Sequence, residues 1–289
     1  LSPAAMAGFA SVGPMASDHG PDDSDAPMLA LGNDILFQAG SAIWFQAIGG
    51  IGRIDGDDNI DDTDYKWTGM IGGYDTTLSE HTQVGAYFGY ADGESRQSSR
   101  DATIDTGNYM FGIYGDHDLG NDWRVSGRAG WTRIVTGSRR NLDFGGIDRT
   151  ATADYTDNAL NADIELAKGF DLVRNWRIEP YGMVGILWNH YDSFDESGAG
   201  SANLSREADS ALTGTAGLGL RLAGMINVGD DKTLIPQFRL GWDRHIGPTT
   251  SSTTLAFAGT SAFTVSGSET DRNTIRGNIG FSLADEDGW

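Results

Sequence analysis

Trp123-Arg124-Val125-Ser126-Gly127-Arg128-Ala129-Gly130-Trp131-Thr132 alternates with a period of two. Trp123, Val125, Gly127, Ala129 and Trp131 fall on one face; Arg124, Ser126, Arg128, Gly130 and Thr132 fall on the other. Successive side chains of a strand point to opposite sides, so this run is a two-faced β-strand. A soluble sandwich also alternates, but it hides its apolar face and wets its polar one. Here guanidinium groups occupy the face a closed sheet would enclose, and tryptophans mark the strand ends. That combination predicts a transmembrane antiparallel β-barrel, apolar toward lipid and polar within.

The same pattern runs down most of the chain. It predicts about ten strands, at 41–54, 65–77, 82–92, 107–118, 123–136, 158–171, 176–191, 211–226, 233–246 and 273–284. Their connections alternate. Ser79–His81, Gly120–Asp122, Val173–Asn175 and Gly229–Lys232 are tight, whereas 55–64, 93–106, 137–157, 192–210 and 247–272 are long and polar. Short turns at one end and long loops at the other is the organisation of outer-membrane barrels, with the long loops extracellular. A hairpin element recurs 53 residues apart: Asp118–Val125 resembles Asp171–Ile178, each opening a strand on a tryptophan, Trp123 or Trp176. Tryptophan at strand ends suits an interfacial aromatic girdle, for which Trp123, Trp176, Trp188, Trp242 and Trp289 are the candidates.

Composition narrows the function. The chain of 289 residues carries a net charge of −21, which argues against a nucleic-acid partner. Much of the acid is concentrated in segments such as Asp55–Asp64 and Asp192–Asp209, as a solvated loop surface requires. Cysteine is absent, so neither disulfides nor thiolate metal sites form. No apolar run approaches the ~20 residues of a membrane helix. The start at Leu1 lacks the features of a signal peptide, consistent with a segment of a longer precursor. Residues 1–40 read as a linker, with Ser2-Pro3 opening a short helix over about 3–13 and Gly13-Pro14 ending it. Residues 41–289 read as the barrel.

Sorting faces by period two gives an outward set that includes Val84, Phe88, Leu160, Ile164, Val184, Ile186, Leu218, Leu240 and Ile279. The opposite face carries Arg124, Arg128, Asp163, Glu165, Arg177, Glu179, Arg221, Arg239, Asp243 and Arg276. A charge on the lipid face costs a few kcal/mol near the midplane, so these ten are the expected lining of a wet lumen. Six arginines against four acids suggest ion pairs across the pore. Either the charges neutralise one another and stiffen the wall, or they cradle a threaded segment.

Other constellations carry less chemistry. Asp55, Asp57 and Asn59 copy the start of a calcium loop, but Ile60 replaces its glycine and the terminal glutamate is absent. No metal and no cofactor are expected. His190 with Asp192 and Asp243 with His245 lie at the same end of the seventh and ninth expected strands, and carboxylate–histidine pairs on a barrel rim can activate water. They motivate an alternative, a surface hydrolase; an adhesin acting through the long loops is another.

Several segments resemble the C-terminal β-domain of bacterial autotransporters. Phe257-Ala-Gly-Thr-Ser-Ala-Phe-Thr-Val-Ser-Gly267, followed by Arg272 and Ile275–Leu283, is similar to that family's F-A-G-x-x-F-T-V-x-G run and the late strand after it. Ile178-Glu179-Pro180-Tyr181 resembles its L-E-P strand opening, and Leu240-Gly241-Trp242-Asp243-Arg244-His245 its L-G-W-R-H segment. The resemblance implies a twelve-stranded barrel with an N-terminal helix inside the pore. It implies a non-enzymatic translocator and outer-membrane anchor, supporting secretion or display of an upstream passenger domain. The implied partners are outer-membrane lipids, the chain's own passenger and the barrel-assembly machinery, around a monomeric barrel. Ala284–Gly288 resembles another tight turn and Trp289 the opening of a next strand, so strands eleven and twelve are expected beyond this sequence. Asn33-Asp34 is a poor match to the Asn-Asn pair at which some members cut themselves.

Overall fold

The computed structural model describes residues 41–54, 62–97, 101–172, 175–228, 232–269 and 271–285. The expected helix at 3–13, the linker, Asp55–Asn59, Asn33-Asp34 and Trp289 lie outside these residues.

Ten long strands form the wall: β1 (Ser41–Ile54), β2 (Thr63–Ser79), β3 (Thr82–Gln97), β4 (Ala102–Gly120), β5 (Trp123–Phe144), β6 (Ile147–Lys168), β8 (Trp176–Tyr191), β11 (Asp209–Gly224), β13 (Lys232–Ile246) and β16 (Asn273–Asp285). Between them lie the short β7 (Phe170–Asp171), β9 (Phe194–Asp195), β10 (Leu204–Arg206), β12 (Ile226–Asn227), β14 (Thr250–Phe257) and β15 (Phe263–Glu269). Each long strand pairs antiparallel with its neighbours in sequence, β1-β2-β3-β4-β5-β6-β8-β11-β13, with β16 on the far side of β13. The result is an antiparallel sheet curled into a half-barrel. Contacts on its concave side span several strands: Trp44 Nε1 on β1 donates to the Tyr114 hydroxyl on β4 at 2.8 Å. Among the described residues no helix is long and apolar enough to cross a membrane.

The convex face is an exposed apolar band. Phe88, Ile113, Ile164, Ile186, Leu218 and Ile279 lie bare along it. For a protein dissolved in water, so continuous an apolar face would drive aggregation; facing acyl chains, it is satisfied.

Several strands run further than the hydropathy predicts. β3 and β4 extend through most of 93–106, and β5 and β6 extend across 137–157 to close on Gly145-Gly146. Beyond the apolar band the outer face is wet and the apolar side chains change sides, with Ala102, Ile104, Ala151 and Ala153 buried on the inner face, while backbone pairing continues, as with Ser138↔Ala153 and Asn141↔Thr150. Gly145 (φ 56°) and Gly146 (φ 85°) take the left-handed conformation at both central positions, as a two-residue hairpin turn demands.

The links 192–210 and 247–272 also hold structure: a second sheet of order β15-β14-β10-β9. Here the F-A-G-x-x-F segment finds its physical reason. Gly259 turns the chain at φ 78°, and Phe257 and Phe263 close the hairpin by stacking at 5.5 Å.

Candidate functional site: the charged inner wall

The concave face has two halves. On β1–β4 it is apolar and aromatic: Ile48, Ile71, Tyr87, Ala91 and Met110 form a buried cluster, with Trp44, Trp67 and Tyr114 packed against it. Glycines make space for these rings; a Cβ on Gly112 would meet the Tyr87 ring at 2.3 Å. From β5 to β13 the same face is ionic.

The ionic half centres on Arg221, 1% exposed. It donates to Glu165 and Glu179. Glu179 also accepts from Arg124 Nη2 at 2.8 Å, and Arg124 approaches Asp116 at 3.8 Å. Glu165 binds a second guanidinium on its other oxygen, Arg239 Nη2 at 3.1 Å. Arg221 and Arg239 are direct cross-strand partners, a like-charge placement that destabilises a bare sheet. Two features offset it. Glu165 takes one arginine on each carboxylate oxygen, and the Tyr181 ring lies 4.7 Å from one guanidinium carbon and 4.6 Å from the other. Tyr181 itself needs the missing side chain of Gly219, where a Cβ would meet its ring at 2.3 Å.

Most of the ten charges expected on one face are therefore brought together, but the pairs run along the wall from β4 to β13, not across a channel. Arg128 bonds Asp163, its register partner on β6. Arg276 bonds Asp243 at the β13–β16 seam. Arg177 stands apart, pairing with Asp171 at 2.8 Å and Asp122 at 3.0 Å in the tight turns. Beside these turns lies a cavity of about 580 Å³, lined in part by Arg124, Trp176, Arg177 and Glu179.

Backbone chemistry explains the Glu179-Pro180-Tyr181 opening. Glu179 and Tyr181 point inward, and Pro180, which has no N–H, stands opposite the gap where β6 stops and β7 begins: Ala167 pairs Tyr181 and Phe170 pairs Ile178. Buried polar groups remain on the inner face. Neither amide atom of Gln237 has a hydrogen-bond partner among the described residues, nor does Asn108 Oδ1. Groups of this kind are satisfied by water or by a further segment.

Trp123, Trp188 and Trp242 share the outward parity of their strands, and Trp176 opens β8 at the turn end. Trp131, Leu160, Trp188 and Leu212 form one cross-strand row. The two histidine pairs do not assemble. His190 stacks on outward-facing Trp188 at 5.6 Å, with Asp192 at 3.4 Å, whereas His245 and Asp243 are buried on the inner face. A hydrolytic site built from both would have to reach through the sheet.

A lock at the loop end was not anticipated. Arg206 donates to Asp157 at 2.8 Å and to the Asp192 carbonyl. Its guanidinium lies within 6 Å of the Tyr155, Phe194 and Tyr191 rings (4.8, 5.0 and 5.7 Å). Arg140 adds a bond to Glu196 at 2.6 Å. Together they clamp the 192–208 link onto β5 and β6.

Comparison with known proteins agrees with this geometry. The model of the family described as autotransporter beta-domain matches residues 43–289. The β-domain of the Bordetella autotransporter BrkA is similar in structure, with a TM-score of 0.56 and 16% identity over 84% of this chain and 98% of that one. So is the translocator domain of the autotransporter NalP from Neisseria meningitidis, with a TM-score of 0.56 and 13% identity over 83% and 86%. No curated protein matches by sequence.

Proposed function

This chain belongs to the autotransporter β-domain family, and from that premise we propose that it is the translocator and outer-membrane anchor of a passenger domain encoded upstream. The observation that carries this is the two-faced wall: an exposed apolar band outside and a buried ionic network inside. Such a wall meets lipid on one side and a hydrated lumen on the other. Its functional output is topological: a membrane-fixed sheet holding a path for a polypeptide.

In this reading the inward charges, Arg124, Arg128, Asp163, Glu165, Arg177, Glu179, Arg221, Arg239, Asp243 and Arg276, line the lumen. The unpartnered Gln237 amide contacts water or a threaded segment there. The small-residue stretch at about 3–13 is the helix that plugs the pore after export. Trp123, Trp176, Trp188, Trp242 and Trp289 form the girdles. The long loops and passenger are extracellular. The barrel is monomeric, sits among outer-membrane lipids, and is inserted by the barrel-assembly machinery.

A reporter passenger with an export signal, fused ahead of Leu1 and expressed in a Gram-negative host, tests the role. Added protease should shave the reporter from intact cells; a protected, periplasmic reporter despite membrane insertion would refute it. Deleting residues 1–16 should raise single-channel conductance in planar bilayers, and unchanged conductance would refute the plug.

A further inference from the structure

Ser210, His190 and Asp192 stand together on the outer face, at the loop end of β8 and β11. Ser210 and His190 are direct cross-strand partners. Ser210 Oγ lies 2.9 Å from His190 Nδ1, and Asp192 Oδ1 lies 3.4 Å from His190 Nε2. A carboxylate only accepts, so it selects the tautomer with hydrogen on Nε2; Nδ1 is then the acceptor and the serine hydroxyl the donor. That is the order of a serine nucleophile, its general base and the group that orients the base. Asp243 and His245, on the inner face, take no part.

Each member is held in place, as a reacting constellation requires. The His190 ring stacks on Trp188 with 13° between their planes. The main chain of Asp192 is pinned at both its polar groups by the buried lock. Its N–H donates to Asp157 Oδ1 at 2.9 Å, and its carbonyl accepts from Arg206 Nε at 3.0 Å and Nη2 at 2.6 Å. Ser210 rides on β11, whose register with β8 runs unbroken from Asp209 to Gly224. Depth and reactivity indicate the substrate. The three residues lie just beyond Leu160, Trp188 and Leu212, the last apolar row on these strands. An acyl chain lying on the exposed band below that row, beside Ile164, Ile186 and Leu218, brings the carbonyl at its head end to this level. The Ser210 N–H is turned to Asp209 Oδ1 at 2.7 Å and supplies no oxyanion donor. That favours an ester, whose carbonyl carbon is more electrophilic than an amide's.

We propose that Ser210, His190 and Asp192 form an esterase site that removes an acyl chain from an ester-linked amphiphile in the surrounding membrane leaflet. Ser210 Oγ attacks the ester carbonyl carbon as its proton passes to His190 Nδ1. The bond from that carbon to the alcohol oxygen breaks, and His190 returns the proton to the leaving oxygen. Water, giving a proton to His190, then attacks the acyl-serine; the fatty acid leaves and the serine hydroxyl is restored. Ser210 and His190 are the catalytic residues; Asp192 and Trp188 are positioning residues. The site needs lipid on the outer face but not the translocator role.

The test uses the full chain inserted in phosphatidylcholine vesicles, with 4-nitrophenyl decanoate and 4-nitrophenyl acetate as substrates and protein-free vesicles as the blank. The wild type should cleave the decanoate at least tenfold faster than the acetate. Ser210→Ala and His190→Ala, small changes at exposed positions, should each lower the decanoate rate about a hundredfold. Asp192→Asn should lower kcat about tenfold and leave KM unchanged, a split that loss of a merely structural contact would not give. A fluorophosphonate probe should add to Ser210 of the wild type, as mapped by peptide mass spectrometry. Equal decanoate rates in the wild type and Ser210→Ala, probe adducts on other serines alone, or an Asp192→Asn effect confined to KM would overturn the site. Acetate cleaved as fast as decanoate would overturn its assignment to acyl-chain esters.

Discussion

Replacing Glu165 by glutamine tests the ionic wall at its most connected acid. Glu165 is 3% exposed and receives Arg221 on one oxygen and Arg239 on the other. The glutamine keeps the shape and one acceptor but removes the negative charge from between two cross-strand arginines. Removing one partner of a buried ion pair costs about 3–5 kcal/mol. Here the cost falls toward the lower figure, because Arg221 keeps Glu179 and Arg239 is partly solvated. With a urea dependence of about 2 kcal/mol per molar, a loss of about 3 kcal/mol lowers the midpoint by about 1.5 M. The assay is urea unfolding of the vesicle-inserted chain, followed by fluorescence of its eight tryptophans. Glu179→Gln, which leaves Arg124 and Arg221 short of the same acid, should give a similar shift. A midpoint change under 0.3 M for both (about 0.6 kcal/mol by the same conversion) would refute the reasoning, since it would mean that bulk-like water already screens these charges.

The remaining expectations concern space, lipid and loops. Gly219→Val would bring its Cβ within 2.3 Å of the Tyr181 ring and 2.6 Å of the Leu240 carbonyl oxygen and should cost about 1–3 kcal/mol by overpacking, read by the same unfolding assay; a wild-type midpoint would show that ring and strand can move aside. Leu218→Arg places a charge on the exposed band and should cost about 2–4 kcal/mol if it sits near the midplane, with a wild-type midpoint ruling out lipid contact there. Arg206→Ala removes the clamp between the 192–208 link and β6, so limited proteolysis should cut within that link at least tenfold faster while the wall stays intact. Unchanged cleavage would show that Arg140 and Glu196 suffice to hold the loop.

How much of this was legible in the sequence depends on what surrounds each strand. Where lipid lies on one side and the inner wall on the other, the period of two sorts the faces cleanly, as in Arg124–Trp131 and Leu160–Leu166. Above the band the outer face meets water and the short apolar groups, Ala102, Ile104, Ala151 and Ala153, are buried on the inner face instead, so 93–106 and 137–157 lost the lipid-facing pattern although their backbones stay paired; Gly145-Gly146 was the overlooked hairpin signal. On β1 and β2 the alternation is blurred for another reason. Trp44, Ile48, Trp67 and Ile71 are inward, so apolar groups occupy both faces and hydropathy cannot tell them apart. The pairing of inward aromatics with cross-strand glycines, Tyr87 with Gly112 and Tyr181 with Gly219, is the signal that would have separated them. Charge sign and parity identified candidate members of the ionic wall, but not their partners. Contacts such as Arg239–Glu165, three strands apart in the sheet, depend on its curvature, which no local pattern encodes. The lock at Arg206 was hidden likewise, because Asp157, Phe194 and Arg206 lie in segments that read only as polar links.

The division into lipid face and lumen face is the premise of everything proposed, and two single cysteines in an otherwise cysteine-free chain test it most directly. Leu218 is exposed on the outer face of β11, while Thr215, three residues before it, is buried on the inner face. With a bimane label at either position and the chain inserted in vesicles containing spin-labelled acyl chains, Leu218→Cys should be quenched strongly and Thr215→Cys should match vesicles without spin label. Equal quenching at both sites, or stronger quenching at Thr215→Cys, would contradict the two-faced wall.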